Sequence, residues 1–170
     1  MGTLSSGLRV RPGQAVGLMK DLDASIDTVQ ARIVSTHGDP RLVALLRWVQ
    51  QSLGDAESAS VMGGRPPAAM ELLDSVATWG VAVSGAIASA LAYRTPSQRR
   101  TAMALAAEES SMRITMRVEP AVAMADAAAR DVPGDDGASL RRALADLAAR
   151  VEIADRVLHA RTATSAVGET

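Results

Sequence analysis

Apolar positions along this chain recur every three or four residues, and that spacing predicts helices from end to end. Ala15, Met19, Leu22, Ile26, Val29 and Ile33 alternate steps of four and three, so a first helix is expected over 14–35. His37-Gly38-Asp39-Pro40 then closes one helix and opens another. Glycine suits a helix end, Asp39 an N-cap and Pro40 the first helical position. A second helix runs from Pro40, with Leu42, Leu45, Leu46, Val49 and Leu53 on one face, and either ends near Gly54 or continues to Met62. The short link makes the first two helices antiparallel neighbours.

Gly63-Gly64-Arg65-Pro66-Pro67 is a break, and a third helix follows over 67–94. Its Met70, Leu73, Ala77, Gly80, Ser84, Ile87 and Leu91 again step by three and four. Thr95-Pro96-Ser97-Gln98 is a helix start: Thr95 caps, Pro96 fits the first turn and Gln98 completes a capping box. That fourth helix should run to Val118 and kink or stop at Glu119-Pro120, because a residue before proline avoids the helical region. A short alanine-rich helix at 121–130, a turn at 131–137 and a last helix at 138–163 complete the pattern. The last helix carries Leu140, Leu144, Leu147, Val151, Ala154 and Leu158 on one side. Its outer face pairs Asp146 with Arg150 and Glu152 with Arg156, acid before base at i,i+4. The expected fold is an all-α antiparallel bundle of four to six helices with short connections. The domain is 14–163, between a loose arm at 1–13 and a frayed tail at 164–170.

Composition sharpens this picture. Trp48, Trp79 and Tyr93 are the only aromatics, with no Phe, so the core must be built from small and aliphatic side chains. No period-2 run of β-branched residues suggests a strand. Cysteine is absent, which excludes disulfides, thiolate catalysis and Cys-ligated metal. A net charge of −1 gives no global field for nucleic acid. A helix-turn-helix at 95–117 would have Arg94, Arg99, Arg100, Arg113 and Arg117, but the turns are wrong for it. Lys20 is the single lysine and Asn is missing, a skew expected of a GC-rich bacterial genome rather than of a binding role. Met1–Leu8 has no charged start followed by an apolar block, so a cytoplasmic location is expected.

Several features carry candidate chemistry. Ser75–Tyr93 is a run of 19 residues without a charge, flanked by Arg94, Arg99 and Arg100, and as a membrane span it would have aromatic ends and a positive flank. Much of it is Ala, Ser and Gly, so a buried helix of a water-soluble bundle is the preferred reading. Gly80, Ser84 and Ala88 form a small-residue ridge that permits close helix contact in either solvent. Met103, Met112, Met116 and Met124 are assigned to core packing rather than to a partner or a soft metal. His37 reads as solvated and His159 as an i,i+4 partner of Asp155; neither belongs to a zinc or di-iron motif. Ser110-Ser111 has no base nearby in sequence.

Glu108, Glu109, Glu152 and Asp155 are the one carboxylate set that suggests catalysis, since helical carboxylates can hold Mg²⁺ and activate water. Glu152-Ile153-Ala154-Asp155, with Thr95-Pro96 leading into the helix that holds Glu108, resembles the all-α nucleotide pyrophosphatases of the MazG type. The resemblance implies a Mg²⁺-dependent enzyme, but Ser111 and Met112 stand where that family has its second Glu. The preferred expectation is a non-enzymatic interaction or assembly protein, without metal or cofactor, binding itself or other proteins. Its contacts would use the seams Met19, Leu22, Ile26, Val29 and Ile33 and the ridge Gly80, Ser84 and Ala88. A seam at such spacing serves a neighbouring helix of the same chain and one of another chain equally well.

Overall fold

The computed structural model describes residues 12–167, with side chains described over 17–163. The chain is an all-α helical bundle, with no strand among the described residues. Its helices are α1 (Pro12–Thr36), α2 (Arg41–Met62), α3 (Pro67–Leu91), α4 (Pro96–Arg113), α5 (Glu119–Arg130) and α6 (Gly134–Val167). A π-helical turn at Ile114–Val118 joins α4 to α5 without a break, so these make one long rod. Residues 1–11 of the expected arm and 168–170 of the tail lie outside the described residues.

Most boundaries follow local chemistry. Asp39 Oδ1 accepts from the Arg41 amide at 2.9 Å and so covers the start of α2. Thr95 Oγ1 accepts from the Gln98 amide at 3.2 Å and caps α4. Gly54 does not end α2, which continues to Met62. At the end of α1 the left-handed residue is His37 (φ 54°), not Gly38, whose amide bonds back to Ile33. α3 closes three residues earlier than expected, at Leu91, and α6 begins four earlier, at Gly134.

The expected kink at Pro120 does not break the rod. A proline inside a helix lacks an N–H and its ring presses on the carbonyl four residues back, here that of Met116. The wider π turn, in which the Glu119 amide bonds the Ile114 carbonyl, loosens the coil at that carbonyl and lets the helix continue.

α3 is the central element. α1 packs mainly on α3, with a lesser contact to α2; α4, the π turn and α5 lie along another side of α3, and α6 packs on α2, α4 and α5. The cores of these contacts are the predicted apolar faces: Leu22, Ile26, Val29 and Ile33 of α1, and Leu140, Leu144, Leu147, Val151, Ala154 and Leu158 of α6 are all buried. α3 is the one helix among the described residues long and apolar enough to cross a membrane, and in this fold four other helices pack against it.

Polar contacts then fix the pairings. Arg47 of α2 bridges Asp23 and Asp27 of α1, holding these two helices antiparallel. Ser52 donates to Asp146 at 2.9 Å, and Arg150 donates to the Trp48 carbonyl at 2.8 Å while its guanidinium lies 4.8 Å from the Trp48 ring centre. Arg150 Nε sits 3.1 Å from Asp146, close enough for an ion pair but not aligned for a hydrogen bond. The matching pair Glu152–Arg156 does not form among the described residues.

Candidate functional site

The expected association seams turn inward. Leu22, Ile26, Val29, Ile33, Gly80, Ser84 and Ala88 are buried and Met19 is half-buried, because α1 lies against α3 within one chain. The side chain of Ala15 lies outside the described residues. Gly80 is needed for the approach: a Cβ there would meet Leu22 Cδ1 at 2.7 Å. In the single chain, the seam and the ridge therefore serve the contact between α1 and α3.

The methionines show the reverse. Met103 is half-buried, but Met112, Met116 and Met124 are 55%, 65% and 61% exposed, and Leu105 is 59% exposed. Small residues (Ala106, Ala107 and Ser110) occupy the buried side of α4 instead. Trp79 of α3 is the reason at Ser110. Its indole fills the space there and its Nε1 donates to Ser110 Oγ at 2.9 Å. At about 100° per residue, Leu105, Met112 and Met116 fall within about 40° of one another. The π turn holds one residue more than an α turn and returns Met124 to the same side.

The four carboxylates do not converge. Glu109 is 3.1 Å from Arg113 on its own helix, Glu108 and Glu152 are exposed, and Asp155 is turned toward serines. Among the described residues no three acidic or histidine side chains are grouped to hold a metal ion. The convergence that the pyrophosphatase reading requires is absent.

Ser110 and Ser111, expected to have no base, are brought against α6. Ser110 Oγ donates to Asp155 Oδ1 at 2.8 Å, and Ser111 Oγ lies 3.0 Å from Asp155 Oδ2 and 2.7 Å from His159 Nε2. The trio is Ser, His and Asp, but its wiring is not that of a nucleophile. A carboxylate only accepts, so both contacts are satisfied together only when Ser111 donates to Asp155 and accepts from Nε2–H of His159. No imidazole lone pair then faces the hydroxyl, and Asp155 approaches the same Nε2, at 3.5 Å, rather than the far nitrogen that orients a catalytic histidine. Both serines are also inside a helix, where the backbone amides are already bonded. The chain Trp79–Ser110–Asp155–Ser111–His159 is a strut joining α3, α4 and α6. Its α6 half was visible in sequence as the i,i+4 pair Asp155 and His159; its match to the two serines was not.

Asp39 gathers a second polar cluster. It takes Arg41 Nε and Nη2 at 3.1 and 3.0 Å, and Arg161 of α6 also donates to it. The two guanidinium groups hold its carboxyl well below the usual carboxylate range. Asp74 of α3 goes the other way: partial burial, and then Glu71 nearby, push its carboxyl up.

Compared with known proteins, the chain matches no family model, no curated protein and no solved structure.

Proposed function

We propose that this chain is a non-enzymatic assembly protein that pairs with a second copy of itself, the α4–α5 rods lying antiparallel across a two-fold axis near Ile114. The observation that carries the reading is the spacing of the exposed apolar residues. Met112 and Met116 flank Ile114 by two residues each side; Leu105 and Met124 flank it by nine and ten. The extra residue of the π turn absorbs the difference of one in helical phase. A two-fold interface must be self-complementary, each residue i meeting j while j meets i. In this register Met112 meets the partner's Met116, and Leu105 meets the partner's Met124. Methionine suits such a face, being flexible and polarisable enough to fill gaps between two ridges. The other exposed large apolar residues are scattered: Val34, Val61 and Met62 at the ends of α1 and α2, Tyr93 in the link after α3, and Ile153 on α6. They need no partner to explain them.

The chain has no cysteine, so engineered ones report cleanly. An equimolar mixture of Leu105→Cys and Met124→Cys chains should oxidise to the mixed disulfide faster than either variant alone forms its own dimer. Cross-linking within each variant alone at equal or greater rate contradicts the antiparallel register.

A further inference from the structure

We infer that the end of the bundle where α2 and α4 begin holds a binding site for a small organic acid: a carboxylate on a short apolar tail. A cavity of about 210 Å³ opens there, with Leu42, Leu91 and Met103 as apolar lining and Arg99, Arg100, Arg161 and Thr162 as polar lining. The lining comes from four helices, so the fold and not one segment shapes it. Drug-sized ligands take roughly 300–1,000 Å³, so the occupant is smaller than these.

Charge selects an anion. The sequence has no acidic residue between Asp74 and Glu108, yet Arg94, Arg99 and Arg100 fall in that stretch. The Arg99 amide bonds the Thr95 carbonyl, but no hydrogen bond or ion pair among the described residues holds its guanidinium. Arg161 is aimed by Asp39, which takes one N–H of a guanidinium that carries five. Arg99 also stands near the start of α4, whose first turn has no acid. Cations at that positive helix end are unfavourable, and a bound anion offsets them. Arginine meets a carboxylate with two parallel bonds. The apolar lining selects a tail, since Leu42 offers an aliphatic wall that a bare inorganic ion leaves unused.

The test titrates the whole chain with hexanoate, acetate, hexanol and inorganic phosphate, by calorimetry and by methyl NMR of Met103. Hexanoate should bind saturably and shift the Met103 methyl. Acetate, hexanol and phosphate should each bind about tenfold or more weakly, lacking tail or charge. Arg99→Gln should weaken hexanoate about tenfold, the loss of one charge-assisted contact. Arg141→Gln, at an exposed site on α6, should leave it unchanged. Absence of saturable hexanoate binding, equal binding of acetate or phosphate, an unmoved Met103 methyl, or indifference to Arg99→Gln would each overturn the assignment.

Discussion

Leu22 of α1 lies so close over Gly80 of α3 that a Cβ on Gly80 would stand 2.7 Å from its Cδ1. Leu22 is 1% exposed, so its methyl must shift within the packed core to make room. Gly80→Ala gains about 1 kcal/mol of helix propensity but forces overpacking that costs about 1–3 kcal/mol. The variant should be less stable by urea denaturation. In a Leu22→Ala background the same change should become stabilising, because the clash is gone. Gly85, one turn further on α3 and open to solvent, has nothing within 4 Å of its added Cβ. Gly85→Ala should stabilise by about 0.5–1 kcal/mol. Stabilisation by Gly80→Ala in the native background would contradict the α1–α3 approach.

Asp39 and Asp74 should move acid stability in opposite senses. Asp39 has its folded pKa depressed by Arg41 and Arg161, so its contribution is present above the ordinary carboxylate range and lost as pH falls through and below it. Asp39→Asn should lower the melting temperature at neutral pH, with the deficit shrinking toward low pH. Asp74 has its folded pKa raised, so ionising it in the folded chain costs stability once pH rises through the carboxylate range. Asp74→Asn should therefore raise the melting temperature at neutral pH and change little in strong acid. Melting curves of both variants across acidic and neutral pH check the two signs together.

Ser110 connects the buried Trp79 indole to Asp155. Ser110→Ala leaves the indole N–H without its acceptor, a loss of about 1–3 kcal/mol. In a Trp79→Phe background the same change should cost less, since no donor is stranded. Equal cost in both backgrounds would show that the indole bond contributes nothing. Activity assays against esters should find no dependence on Ser111, because His159 donates to it rather than accepting from it.

The helices and the caps at Asp39 and Thr95 were legible because each rests on contacts within a few residues. So were the apolar faces of α1 and α6, where large residues repeat and go inside. α4 and the π turn after it mislead a reading by hydrophobicity, since Ala106, Ala107 and Ser110 are buried while Leu105, Met112 and Met116 face water. The inversion depends on Trp79, a residue thirty-one positions away from Ser110, occupying the space between α3 and α4. Proline at 120 reads locally as a stop, and only the π turn before it, held within a packed rod, lets the helix continue. The strut at Asp155 and the arginine-lined cavity were illegible for the same reason: both join residues of separate helices, and spacing along one helix says nothing of what faces it.

Self-pairing through the α4–α5 rod is tested most directly by light scattering of the native chain and of Met112→Asp/Met116→Asp across a dilution series. The account predicts a native dimer that dissociates on dilution. It predicts a variant that stays monomeric at every concentration while keeping the native helical content, since both side chains already face solvent in the single chain. A native chain that is monomeric throughout, or a variant that dimerises as well as the native chain, would contradict it.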